Sequence, residues 1–544
     1  MRTSCVYFFA FALLTAAPAF SHDESTEPSA SEKLGTVNFA TSCDPAVAAQ
    51  FNRAMAMFHS FWFDPSAKAF AEVARDDPSC GMAYWGIAMT RLGNPFAWPP
   101  AEKPFLAGRQ ALAKAIEVGV KSQREREYIA ALGAFYDDPQ KADHRTRAVA
   151  FEKAMGQLAN RYPDDVEASI LYALLLDATA LASDKTYAQQ LKAGAILEKI
   201  GERLPDHPGV VHYIIHSYDY PPIADKGLDA ARRYAAVAPS APHALHMPAH
   251  IFTRLGYWDE SIETNQLSAD AAKAELSQAQ LGQGSYNALH AMDYMVYAYL
   301  QQGRDGKAKA LVDEMAAITK LDVENFAAAY AFAASPARYA LERGDWAAAS
   351  KLTPTPKDIS WQKFPQAEAV SVFARSLGAG RSGDLETARA GIERLKALEA
   401  TLTAAKQPFW ANQVAIQGEV STAWLLFAEG QRQEAPARMR HAADREDATD
   451  KHPVTPGPLA PARELLGEML LELDRPADAL VEFQQSQRKE PNRLRGYYLT
   501  ARAAELAGQP EVARANYARL LELTERGDGN RPEIKRAREF VASR

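Results

Sequence analysis

Towards the C-terminus, large and small apolar residues recur in a fixed order: Leu466, Gly467, Leu470, Ala479, Phe483, Ser486 and Pro491, then Tyr497, Ala501, Ala513, Tyr517 and Leu520. The period is roughly 34 residues, which is too long for one element and suits a pair of antiparallel helices closed by a proline. Small residues let the two helices approach closely, aromatics fill the space between successive pairs, and the proline ends the second helix. Looser copies of the pattern run through residues 67–78 into Tyr84, Ile87 and Ala88, and through Ala230, Tyr234 and Pro242. Others include Tyr294, Tyr297 and Ala298, then residues 339–349, 377–395 and 423–439. The predicted fold is all-α: a superhelix of antiparallel helix pairs whose first helices line a concave face. Proline-rich stretches at 354–365 and 453–461 interrupt it; the first either divides two sub-arrays or is a long loop between repeats.

The spacing resembles the tetratricopeptide repeat superfamily over nearly all of the chain after its leader, closely at the C-terminal end and loosely in the first half. The resemblance implies an α–α solenoid that takes a protein or peptide in its concave groove. The stretch A-P-H-A-L-H-M-P-A-H-I-F-T-R-L-G-Y-W-D-E-S, residues 241–261, resembles one in exported bacterial tetratricopeptide proteins of unassigned function, and that likeness supplies no activity. Pro248 inside a first helix is foreign to the ordinary repeat: it frees a backbone carbonyl and bends the helix beside three histidines.

The first residues carry one Arg, an apolar run over 6–17, and small residues at Ala17, Ala19 and Ser21. That is the layout of a secretory signal peptide at 1–21, cleaved after Ala19 or Ser21, and too short for a membrane span. Residues 22–34 are polar and read as a disordered lead-in. Residues 35–355 read as a divergent array and 356–544 as a C-terminal one. No later segment is long and apolar enough to cross a membrane, and the expected location is the periplasm or the medium. Without the leader, and so without Cys5, only Cys43 and Cys80 remain. In an oxidising compartment they read as a disulfide, with two buried thiols as the alternative. A formal net charge of −7 with both signs intermixed gives no footprint for nucleic acid.

Candidate chemistry is concentrated in one place. Six of the twelve histidines lie between His212 and His290. His212 and His216 are four apart, as are His246 and His250, and residues four apart share a helix face. Aligning Pro208 with Pro242 puts the two pairs at matching positions of successive first helices, which stack as rungs roughly 10 Å apart. His243 and His290 extend the lining, and Asp219, Glu260 and Asp293 are candidate ligands or supports for the rings. An all-imidazole set without cysteine suits Zn or Cu.

Three readings stay open at this point. The first is a scaffold that binds a protein or peptide in the groove, or a small molecule at the histidines. The second is a metal-dependent hydrolytic or oxidative enzyme, with Asp293 or Glu260 as acid or base, and the third is a copper- or zinc-handling protein. The polar run 441–452, from His441 to His452, reads as a solvated helix end, although a superhelix that curls round would bring it over the histidines. The aromatic stretches 59–63 and 82–86 read as N-terminal core. His22 at a new N-terminus is a minor copper-chelating candidate. No phosphate loop, nucleophile elbow or free nucleophilic cysteine is present.

Overall fold

The computed structural model describes residues 32–137, 139–276 and 283–543. The expected signal peptide, His22 and most of the expected lead-in lie outside them. The last three lead-in residues are already packed: Glu32 pairs with Arg53, the Lys33 backbone exchanges bonds with Ser240, and Leu34 is buried.

Among the described residues there is no β-strand, and consecutive helices pack as antiparallel neighbours from Ala48–His59 to Pro532–Ala542. The architecture is an all-α solenoid of antiparallel helix pairs. Its packing code is visible at the glycines: a Cβ on Gly467 would clash with the ring of Phe483, and one on Gly86 with the ring of Phe70. Only a bare backbone lets the partner aromatic lie against the helix. Helix starts are marked locally, by Pro at the first turn of Pro208–Tyr218 and Pro408–Ala428 and by a Ser122–Glu125 capping box on Gln123–Phe135.

The 354–365 stretch is a loop between consecutive repeats. Phe326–Leu341 on one side packs against Pro365–Ser382 on the other, and both supply the core of the second half. Cys43 and Cys80 are disulfide-bonded, with Cα atoms 4.8 Å apart, tying the N-terminal segment to the loop that precedes Gly81–Thr90.

The superhelix curls back on itself. Asn492 Nδ2 donates to the Leu255 carbonyl at 2.9 Å and Trp258 Nε1 to the Asn492 carbonyl at 3.2 Å. Arg493 reaches the Tyr297 hydroxyl at 2.9 Å, and Arg531 pairs with Asp305 at 2.6 Å. The proline-rich loop after Glu434–Asp447 enters the enclosed face: Lys451 meets Asp219, Tyr294 donates to the Pro453 carbonyl, and Arg338 holds Thr455 and the Gly457 carbonyl. The two halves therefore touch, and they do so next to the histidines.

Candidate metal centre

Four helices present the first triad and its neighbour. His212 and His216 stand one turn apart on Pro208–Tyr218, with ring centroids 4.9 Å apart. His243 joins them from the short helix Pro242–His246, and one ring nitrogen from each of the three lies within 4.8 Å of the others. His246 closes that short helix and His250 sits on the next, Pro248–Leu255. The proline divides what the sequence suggests is one first helix into two short segments, and the backbone continues by an i to i−3 bond from His250 N to the Met247 carbonyl. His290, from Tyr286–Gln301, completes the second triad, again within 4.8 Å. The triads adjoin, with ring centroids 6.0 Å apart for His216 and His250 and 6.1 Å for His243 and His246.

The outer ring nitrogens of His212, His246 and His250 are committed. His212 Nδ1 donates to the His59 carbonyl at 2.6 Å. His246 Nδ1 donates to Asn265 Oδ1 at 2.6 Å, and the amide of Asn265 is oriented by its own bond to the Ser261 carbonyl. His250 Nδ1 donates to Asp219 Oδ2 at 2.8 Å. With the protons on Nδ1, the Nε2 lone pairs face inward. Nε2 of His212, His216 and His243 are buried without a partner, and Nε2 of His246 and His250 face each other at 3.1 Å. Two neutral imidazoles so protonated have no hydrogen to share there. Two nitrogens on one tetrahedral ion at about 2.05 Å would stand about 3.3 Å apart.

Electrostatics keep the rings neutral. Burial pushes His212, His216, His243 and His290 well below the ordinary histidine value, and neighbouring histidines add to the effect. Burial and His250 take His246 down to about 3; His250 is lowered by burial although Asp219 opposes it. Burial favours protonation of Asp219, but Lys451, Arg254 and His250 overcome it and hold the carboxylate ionised. Lys451 itself is lowered to about 8 by burial and by Arg254.

The supporting carboxylates divide. Asp219 acts through His250. Asp293 is turned away, its Oδ1 accepting from Ser335 and from Arg338 at 3.0 Å. Glu260 is half-buried in the first turn of Trp258–Ala274, and no described hydrogen bond or ion pair joins it to a histidine. The Oδ2 of Asp293 is buried without a partner, and no described hydrogen bond joins Asp293 or Glu260 to a histidine of either triad.

Several wall residues carry no sequence signal. Phe61 lies flat on His243 at 5.5 Å and edge-on to His212 at 4.4 Å, and Phe96 stacks on His216 at 4.0 Å. The 59–63 stretch is thus core and site wall at once. Phe61 holds φ of 53°, a conformation that costs a bulky side chain roughly 1–3 kcal/mol. Tyr294 packs on His246 at 4.8 Å and His250 at 5.3 Å. The 441–452 run is only partly solvated, because its end turns inward. His441 is exposed on Glu419, whereas Lys451 is buried on Asp219 and His452 sits among Phe326, Phe409 and Trp410.

A third cluster lies behind the first triad. His59 and His207 each place Nε2 on an oxygen of Glu167, at 3.0 and 2.9 Å. Burial alone would raise the Glu167 carboxyl, but His207 and His59 hold it well below the usual range. Both carboxylate oxygens are paired, and the carbonyl of His59 is the one that fixes His212. This cluster is a support for the triad.

No family model and no curated protein matches the chain. Among solved structures it is similar to a chain of the APC/C hetero-tetramer Cut9–Hcn1, at 11% identity over 91% of this chain and 95% of that one, with a TM-score of 0.29. At that score the likeness carries no argument, and the solenoid assignment rests on the helix pairing itself.

Proposed function

We propose that this is an exported metalloprotein holding two transition-metal ions side by side, each on three imidazoles, and using them for metal-dependent chemistry. The observation that carries the reading is the set of Nε2 atoms, buried and unpartnered in one triad and 3.1 Å apart in the other. Three protein ligands per ion leave a coordination position for substrate or water, the hallmark of catalytic rather than structural sites. The half-buried edges of His243 and His290 give that position an approach. Burial and locked Nδ1 partners favour resident ions over exchangeable cargo. The loop that fills the enclosed face beside the histidines leaves less room for an extended peptide there.

Between zinc and copper, charge favours copper. Neither triad includes a carboxylate or thiolate, and of the nearby ionised groups Asp219 is already shared by Lys451 and Arg254. The cost of burying an ion grows as the square of its charge, so two monovalent ions fit this neutral site with far less penalty than two divalent ones. Cu(I) meets that condition and accepts imidazole. Export is supported by the disulfide and by the leader pattern.

The test is metal analysis of the mature, untagged protein beside two double variants, His212→Ala/His216→Ala and His246→Ala/His250→Ala. Two equivalents are expected in the parent and one in each variant. A parent chain that takes up neither copper nor zinc would refute the proposal.

A further inference from the structure

A cavity of about 90 Å³, open to solvent, lies on the inner face of the C-terminal repeats, between Pro365–Ser382, Pro408–Ala428 and the proline-rich loop. It is separate from the histidine triads, none of whose residues line it. One side is aromatic. Trp410 and His452 have ring centroids 4.9 Å apart, Phe409 is 5.0 Å from Trp410 and 5.7 Å from His452, and Tyr330 stands 6.2 Å from Trp410. Burial and Lys451 push His452 down to about 3, so the box is uncharged. Val370, Val414 and Leu459 continue the apolar lining.

The polar side is short of donors. Gln366 is only 8% exposed, and its carbonyl oxygen lies buried without a partner; the carbonyl of Gln417 is in the same condition. Such an acceptor costs about 1–3 kcal/mol when left unpaired, and here it lines an open cavity. The cations that line the cavity are engaged elsewhere: Lys489 by the Glu446 and Thr449 carbonyls, Arg463 by Asp444, Asp447 and Glu482, and Lys451 by Asp219. An anion therefore finds no spare positive charge. The carboxyls of Glu446, Asp447, Asp450 and Glu490 add acceptors on the same side.

We infer that this cavity is a binding site for a neutral aromatic molecule carrying one or two hydroxyl or ring N–H donors, of the phenol or indole class. The ring stacks in the Trp410, Phe409 and His452 corner, and its donors satisfy Gln366 and Gln417. Lys451 lines the cavity and bonds Asp219, the carboxylate that fixes His250, so the site adjoins the candidate metal centre through one ion pair. The inference does not depend on metal being bound.

Calorimetric titration of the full mature chain with phenol and with indole tests it, with toluene, methyl glucoside and benzoate as controls. Saturable binding of phenol and indole is expected, with toluene at least tenfold weaker and no heat from the glucoside or benzoate. Gln366→Leu should weaken phenol at least tenfold and leave toluene unchanged, while its melting temperature holds or rises because an unpaired amide has been removed. Gln417→Leu provides the same reading should Gln366→Leu fail to fold, and Trp410→Ala should weaken every aromatic probe. The His246→Ala/His250→Ala variant should keep phenol binding, which separates this site from the metal reading. No saturable binding of phenol or indole at millimolar concentration, toluene equal to phenol, or phenol binding unaltered in the glutamine variants would each overturn the assignment.

Discussion

At the scale of single residues, the site is made by what holds the outer nitrogens. Asn265, Asp219 and the His59 carbonyl each fix a proton on Nδ1 and so turn Nε2 inward. Removing such a support typically costs 10–100-fold in metal affinity. Asn265→Ala is expected to do so, with copper competition against a chelator as the readout and retained fold by circular dichroism as the control. The neutral rings also have a pH signature. Each imidazole titrates lower in the folded chain than in the unfolded one, so acid favours unfolding. Their contribution is complete above about pH 6.5 and is lost as the pH falls below it. At pH 5.5 a ring that stays neutral in the folded chain costs on the order of 1 kcal/mol relative to neutral pH. Asp177, Glu446 and Glu275, raised by burial to about 8, about 7 and about 7, pull the opposite way and offset part of this. Urea unfolding of the metal-free protein should therefore show the histidines lowering stability between pH 7 and 5.5, with the parent chain losing more over that range than His246→Ala/His250→Ala. The residue types of this site were legible in the sequence, since histidines four apart announce a shared face. Their grouping was not: His243 joins His212 and His216 although it is three residues from His246, because Pro248 resets the helix between His246 and His250.

At the scale of elements, the repeat code explains which helices pair and where they stop. Gly467 and Gly86 occupy the small-residue positions, and in each case an aromatic of the partner helix fills the space a Cβ would need. Overpacking of this kind costs about 1–3 kcal/mol. Gly467→Val is expected to lower stability by at least that much, whereas the same change at exposed, open Gly430 would be felt only through its φ of 85°. Periodicity exposes such positions directly, which is why the all-α solenoid could be read from Leu466 to Leu520. Periodicity says nothing of the loops. The 450–458 segment has the composition of a solvated turn, yet Lys451 finds a carboxylate more than two hundred residues away. A long-range partner of that kind leaves no local pattern.

At the scale of the molecule, closure of the superhelix converts an open wall of histidines into an interior. Asn492, Arg493 and Arg531 fasten the last repeats to the middle ones, and Arg493 is fully buried between Glu342 and Glu464. Removing one partner of a buried ion pair strands the other charges and costs about 3–5 kcal/mol. Arg493→Ala should therefore lower the melting temperature and loosen the closed form, seen as a larger radius of gyration by small-angle scattering. An unchanged radius and melting point would mean that closure does not rest on this contact.

Two ions held by the enclosed histidines would be visible directly. The most direct measurement is anomalous diffraction from crystals of the copper-loaded protein, collected on both sides of the copper edge. Two peaks are predicted, one within reach of His212, His216 and His243 and the other within reach of His246, His250 and His290. No peak at either triad, or copper only at His59, Glu167 and His207, would contradict the account.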